Sequence, residues 1–183
     1  MEKKKGILYI THEVDVNGAS KSLIGIISKL EDKYDIHVLV RGTGELVKLL
    51  QNRKCKIIIE PYYLDVEPII PRKFFSKIEW PIRVMRYVLY RNRKNERIVK
   101  KMVQYIKKNN ISLIHTNSSS TFVGIKIAKK ANVPHVWHFR EFLKEDFNLH
   151  PLIGWKAFYG MAASSNKIIC VSQSVLNKYI EYI

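Results

Sequence analysis

Short apolar runs alternate with longer stretches in which apolar residues recur every three or four positions along the whole chain. Runs without internal alternation mark strands covered on both faces, and the longer period marks helices laid across them. Gly6–Thr11, Asp35–Val40 and Cys55–Ile59 read as strands. Between them Leu23, Ile26, Ile27 and Leu30 form one stripe of a helix that follows Asn17 and Gly18, and Glu45–Gln51 gives a shorter one. Farther on, 113–115, 133–139 and 167–171 read as strands, with helices over 121–130, 152–163 and from 174 onward. Segment 61–71, holding Pro61, Pro68 and Pro71, reads as a loop. The next segment reads as one helix, or two with a joint near 92–95, in which Ile98, Val99, Met102, Val103 and Ile106 share a face. The expected architecture is one α/β domain over 1–183, a mainly parallel sheet between two layers of helices.

With 46% hydrophobic residues, only 8 Gly and 6 Pro, the 183-residue chain is neither disordered nor low in complexity, and it can bury a core without disulfides. Cys55 and Cys170 stand apart in apolar stretches, which predicts buried reduced thiols. The charged start at Met1 to Lys5 precedes too short an apolar run for an export leader, and no stretch has the length of a membrane span. The expectation is a cytoplasmic protein able to sit peripherally on the inner membrane face. Charge narrows the partners: 32 Lys and Arg against 16 Asp and Glu give +16, a field that attracts nucleic acid, an anionic membrane or a phosphate-bearing substrate. Much of it is concentrated, because 72–108 holds thirteen cationic residues against Glu79 and Glu96.

In parallel α/β sheets ligands bind beyond the carboxyl ends of the strands. The loop from Thr11 to Ser20 opens a helix whose free N–H groups can receive a phosphate, with Gly18 for close backbone approach and Ser20 as the helix cap. After 113–115, Asn117, Ser118, Ser119 and Ser120 supply more hydroxyls than a cap uses, suited to a polyhydroxylated ligand. His138, Arg140 and Glu141 converge at the end of 133–139. His135 and His138 are three apart and face opposite ways, which argues against a shared metal. Ser172 opens the last helix, as a cap or as a ligand contact. Glu13 with Asp15, and Asp65 with Glu67, read as exposed loop carboxylates rather than as a metal pair, and no zinc, P-loop or nucleophile-elbow motif is present.

Four segments in order carry a resemblance: 7–11 followed by Asn17-Gly18-Ala19-Ser20, then Ile114-His115-Thr116-Asn117-Ser118-Ser119, then 133–141, then Ile169-Cys170-Val171-Ser172. Together they resemble the N-terminal domain of glycosyltransferase family 4, retaining nucleotide-sugar transferases of the GT-B fold. That family's first loop has two glycines and an acidic residue, where this chain has Asn17, Gly18 and Ser20. The resemblance implies a Rossmann-like three-layer domain with no tightly bound cofactor and no metal. It also implies a nucleotide-sugar substrate and a saccharide or lipid-linked acceptor of cell-surface polysaccharide synthesis. Gly18, Ala19 and Ser20 would face the donor phosphates, and His138 the transferred sugar as the catalytic residue. Asn117, Ser118, Ser119, Arg140, Glu141 and Ser172 would face the acceptor or sugar. Family members continue into a second, nucleotide-sugar-binding domain, so the chain resembles half an enzyme, inactive without that partner. Arg83, Arg86, Arg91, Arg93, Lys94 and Arg97 would meet an anionic membrane, with Trp80, Tyr87 and Tyr90 as interfacial anchors. Two other readings stand beside it: a basic nucleic-acid binder, which lacks a recognisable module, and a single-domain nucleotide-binding regulatory protein.

Overall fold

A computed structural model describes residues 4–68 and 76–183. The chain runs β1 (Gly6–Thr11), α1 (Gly18–Leu30), β2 (Asp35–Val40), α2 (Glu45–Gln51), β3 (Cys55–Ile59) and β4 (Val66–Pro68). One helical run follows, α3 (Ser76–Arg86), a π-helical stretch (Tyr87–Asn92) and α4 (Arg93–Asn109). The remainder is β5 (Ile111–Thr116), α5 (Val123–Ala131), β6 (His135–Phe139), α6 (Leu143–Phe147), β7 (Leu149–Pro151), α7 (Trp155–Ala163), β8 (Lys167–Cys170) and α8 (Gln173–Ile180). Six strands form a parallel sheet in the order β3-β2-β1-β5-β6-β8. This is the doubly wound, Rossmann-like order, and growth of the sheet reverses between β1 and β5.

The two faces of the sheet bury separate sets of residues. Ile7, Tyr9, Ile36, Val38 and Val40 pack under Leu23 and Ile27 of α1 and Leu46 and Leu50 of α2. On the other face Leu8, Ile10, Leu39 and Ile114 meet Val99, Met102 and Ile106 of α4 and Val123 and Ile127 of α5. Trp137 and Phe139 of β6 extend that face into an aromatic cluster with Phe122, Phe158 of α7 and Tyr179 of α8. Gly124 makes the α5 packing possible: a Cβ there would lie 1.8 Å from Thr116 Oγ1, so only glycine lets the helix approach β5 this closely. Cys55 and Cys170 are free thiols and half-buried rather than fully buried, and burial raises both, Cys55 to about 11.

Several elements depart from the sequence pattern. Within the segment read as a loop, β4 pairs antiparallel with β7, Val66 opposite Pro151 and Pro68 opposite Leu149. The helix expected from 152 begins at Trp155, because Gly154 turns the chain with φ 81°. Asn132 in the left-handed region ends α5, and β6 starts at His135, later than expected. Asn17, not Ser20, caps α1: its Oδ1 accepts from the Ser20 N–H at 3.0 Å. The joint in the basic helical run is the π-helical stretch, just before the expected position. No helix among the described residues is long and apolar enough to cross a membrane.

Asp65 is the largest correction, since it is wholly buried rather than an exposed loop carboxylate. Its Oδ2 accepts from the Phe122 N–H at 2.6 Å and from Thr121 Oγ1 at 3.4 Å, and its Oδ1 accepts from the Tyr87 hydroxyl. Its backbone binds Ser120 on one side and Leu152 on the other, both at 3.0 Å. One residue therefore ties the β3–β4 connection, the π-helical stretch, the β5–α5 loop and the end of β7. Tyr87 is drawn inward by that bond and is buried, so it is no interfacial anchor. Arg72 and Lys73 lie outside the described residues, as do the side chains of Lys77 and Trp80.

Candidate functional site

A cleft of about 770 Å³ opens at the carboxyl edge of the sheet where its growth reverses. Three strand-end loops line it: His12, Glu13, Asn17, Gly18 and Ala19 after β1, Asn117, Ser118 and Ser120 after β5, and Arg140 and Glu141 after β6. Leu64, Leu143, Phe147, Leu149 and Val171 give it apolar walls. A Cβ on Gly18 would meet no protein atom within 4 Å, so the space beside this residue belongs to the cleft and not to packing. Together these loops present backbone N–H groups at a helix start, a guanidinium, two carboxylates and small polar side chains, a lining suited to a phosphate-bearing, hydroxyl-rich ligand.

The polar lining is held by bonds between loops. Arg140 Nε donates to Asn117 Oδ1 at 2.9 Å and its Nη2 to Ser22 Oγ at 3.1 Å, clamping β6 to β5 and to α1. Asn117 is buried, with its N–H on the Ile10 carbonyl at 2.8 Å. Glu141 Oε1 accepts from Ser118 Oγ at 2.7 Å, from Ser119 Oγ at 3.0 Å and from the Ser119 N–H at 3.1 Å. Trp137 Nε1 donates to the Ser118 carbonyl at 2.7 Å, fixing the serine loop from below. In the first loop, the His12 ring lies 3.1 Å from Glu13 Oε1, and its hydrogen bond holds the Glu13 carboxyl below its ordinary range.

Of the residues singled out in the sequence, Gly18, Ala19, Asn117, Ser118, Arg140 and Glu141 line the cleft. Ser20 does not: it is buried, and its hydroxyl donates to the Asp15 carbonyl at 2.8 Å. Ser119 is buried beneath Glu141, and Ser172 caps α8 by accepting from the Val175 N–H at 3.2 Å. His138 is buried on the α1–α2 side of the sheet, its ring 5.6 Å from that of His115, which lies 5.1 Å from Tyr9. Its Nδ1 has no hydrogen-bond partner among the described residues, nor has His115 Nε2. His135 faces the other way, between Thr116 Oγ1 at 2.8 Å and Ser165 Oγ at 3.0 Å. Among the described residues no group of His, Cys, Asp and Glu is arranged to hold a metal ion. Sequence reasoning passed over His12 and Ser22, although His12 directly follows a strand, and it read Glu13 as an exposed loop carboxylate, whereas Glu13 is partly buried in the cleft lining beside His12.

Burial pushes His115 down to about 3, helped by the charges of His138 and Arg140, and pushes His135 and His138 down to about 4. All three are neutral at pH 7. An unfolded chain protonates them near pH 6.5 and so binds more protons than the folded one between about 6.5 and about 4. Stability should therefore fall as pH drops through that window, by up to about 1.4 kcal/mol per pH unit for each histidine. Asp65, raised by burial, offsets part of the slope because its folded form takes up a proton first. Urea denaturation at pH 7 and pH 5 measures the effect, and a midpoint unchanged between them would contradict it.

Among curated proteins no sequence match is found. Of solved structures, HepE of Anabaena in complex with UDP and glucose superposes with TM-score 0.62 at 19% identity, over 96% of this chain and 40% of that one. A glycosyltransferase from Rickettsia africae gives TM-score 0.59 at 18% identity, over 99% of this chain and 40% of its own length. MurG of Acinetobacter baumannii gives 0.59 at 10%, over 93% and 42%. This chain thus spans about 40% of the length of these structures, and at such identities the likeness is one of fold. The family model of Glycosyltransferase Family 4 matches residues 16–183, nearly the whole sequence. The chain belongs to glycosyltransferase family 4, and its Rossmann-like domain is of the kind found in GT-B glycosyltransferases.

Proposed function

We infer that this chain is the N-terminal, acceptor-side domain of a retaining glycosyltransferase that moves a sugar from a nucleotide-sugar donor to a saccharide or lipid-linked acceptor in cell-surface polysaccharide synthesis. The observation that carries the reading is the cleft at the sheet's switch point, where Arg140, bonded to Ser22 of α1, and Glu141 share the lining with the start of that helix. In this reading the N–H groups around Gly18 and Ala19 meet the donor diphosphate. Arg140 balances the negative charge of the leaving group, and Glu141 and Ser118 orient sugar hydroxyls. His138 does not line the cleft; the reading assigns it to the reacting sugar as a neutral ring whose Nδ1 has no partner among the described residues. A retaining transfer passes through an oxocarbenium-like sugar, whose charge only a water-poor site stabilises well. One open cleft does not exclude water, so transfer requires a second, nucleotide-sugar-binding domain closing over this one. HepE, solved with UDP and glucose, is about 2.4 times as long by the shares covered, 96% of this chain and 40% of that one, which leaves room for a second domain.

The basic helical run supports a membrane-side position. Ile82, Met85, Val88, Leu89 and Tyr90 are between 48% and 56% exposed along α3 and the π-helical stretch. Arg86, Arg93, Lys94 and Arg97 are exposed beside them, and none has an ion-pair partner among the described residues, whereas Arg83 and Arg91 are held by Glu67. A polynucleotide would reward the charges but not the apolar stripe, while an anionic lipid surface rewards both. This favours the membrane over nucleic acid.

The test uses the purified chain with a panel of nucleotide sugars, UDP-glucose included. Amide resonances of Gly18, Ala19 and Asn117 should shift, with no sugar transferred to added lipid-linked saccharide. Robust turnover by this chain alone would overturn the two-domain reading. Cleft amides that ignore every donor and acceptor would overturn the site.

A further inference from the structure

Beside the main cleft lies a smaller one of about 370 Å³, lined by Val14, Arg41, Gly42, Pro61, Tyr62 and Tyr63. It sits beyond the carboxyl ends of β2 and β3, and the loop from His12 to Val14 is the wall between the two cavities: His12 and Glu13 face the large one, Val14 the small one. Arg41 Nε donates to the His12 carbonyl at 2.9 Å, which fixes the guanidinium at this wall and leaves its other N–H groups without a hydrogen-bond partner among the described residues. No carboxylate lies within ion-pair distance of Arg41 among the described residues. The Tyr62 hydroxyl is buried without a partner among those residues, and the strongest charge acting on it is Arg41.

On its far side the small cavity reaches the exposed apolar stripe through Tyr63. That ring meets the Tyr90 ring edge-on at 5.8 Å, and the Arg91 guanidinium lies 5.7 Å from its centroid. In order, then, stand an exposed apolar stripe, an aromatic pair, a cavity with the Arg41 guanidinium and Tyr62 in its lining, and the polar cleft. A ligand that satisfies all four carries an apolar chain, an anionic group and a hydroxyl-rich end in the same order.

We propose that the Arg41–Tyr62 cavity binds the phosphate of a lipid-linked acceptor, whose lipid lies on the stripe formed by Ile82, Met85, Leu89 and Tyr90 and whose sugar enters the main cleft over the His12–Val14 wall. This rests on the acceptor-side reading and narrows it to acceptors joined to lipid through a phosphate. The planar fork of Arg41 matches a phosphate bidentately, a geometry that a lysine ammonium cannot reproduce.

Vesicle co-sedimentation tests it with three compositions: phosphatidylcholine alone, phosphatidylcholine with phosphatidylglycerol, and phosphatidylcholine with phytanyl phosphate at equal charge. The chain should prefer phytanyl phosphate to phosphatidylglycerol by roughly tenfold, the scale of a charge-assisted bond. Arg41→Gln should abolish that preference while keeping phosphatidylglycerol binding and the melting temperature, since Arg41 is exposed. Arg41→Lys should restore only part of it. Charge reversal at Arg86, Arg93, Lys94 and Arg97 should instead weaken binding to both anionic vesicles. An Arg41→Gln chain with the preference intact, or an unaltered chain with none, would overturn the assignment. Full competition by inorganic phosphate would overturn its lipid part. Shifts of the cleft amides with nucleotide sugar are read separately, so the acceptor-side reading can stand when this one falls.

Discussion

Replacing Asp65 with alanine is expected to cost about 3–5 kcal/mol of folding stability, the scale on which breaking a buried charged network destabilises. The carboxylate serves three donors at once, the Phe122 N–H, the Thr121 hydroxyl and the Tyr87 hydroxyl, and none has water to turn to when it is gone. Asp65→Asn should lose less, about 1–3 kcal/mol, because the amide oxygen keeps an acceptor and no charge remains to be buried. Burial already raises the Asp65 carboxyl, which marks the cost of keeping it charged there. Urea titration of both variants gives the two losses. A cost under about 1 kcal/mol for alanine would mean that the surrounding loops do not depend on this residue. The damage should spread toward the cleft, because the same loop that leans on Asp65 presents Ser118 and Ser120 to it.

The second large effect is expected in catalysis. On the function proposed above, in a chain joined to a nucleotide-sugar-binding domain, His138→Ala should lower turnover about 10²-fold, as for the loss of one well-placed polar group near developing charge. Its ring lies 5.6 Å from that of His115, which in turn meets Tyr9, and an Nδ1 without a partner among the described residues gives the fold little to lose. Melting temperature should therefore change little. A purely structural histidine predicts the reverse, a fall of several degrees with activity per folded molecule nearly intact. Measuring both on one variant separates the roles, and a stability loss without a rate loss would remove His138 from the reaction.

Where neighbouring residues settle the structure, the sequence could be read closely. Gly6–Thr11, Asp35–Val40, Cys55–Ile59 and Glu45–Gln51 fall where their apolar pattern puts them, because sheet interior and helix stripe each impose a local period. β4 and β7 were illegible for the opposite reason. Each has three residues and exists only by pairing with the other, more than eighty positions away, and the prolines in both read as loop signals. Tyr87 shows the same limit: its place in an aromatic, basic helix suggests a surface anchor, until a carboxylate 22 residues earlier claims its hydroxyl. In the cleft, residue type revealed which loops face the ligand but not which hydroxyls are already engaged. Ser20, Ser118, Ser119 and Ser172 look alike in the sequence, and only the fold shows all four engaged, Ser20 on Asp15, Ser118 and Ser119 on Glu141 and Ser172 at the start of α8, with Ser118 alone of them also lining the cleft.

The π-helical stretch sets a constraint on length. A π turn accommodates one residue more than an α turn, and this surplus lets Tyr87 point inward to Asp65 while Val88, Leu89 and Tyr90 stay outside. Losing one residue there would return the run to α geometry and leave α4 in phase, whereas a residue lost from an ordinary α turn swings everything beyond it by about 100°. Val99, Met102 and Ile106 would leave the sheet, or the apolar stripe would turn inward against Asp65. Single-residue insertions and deletions within α3 and α4 therefore disturb the sheet contacts, whereas a deletion within the π-helical stretch leaves them in register. The helical run behaves as a ruler, with the π turn as a place of adjustment.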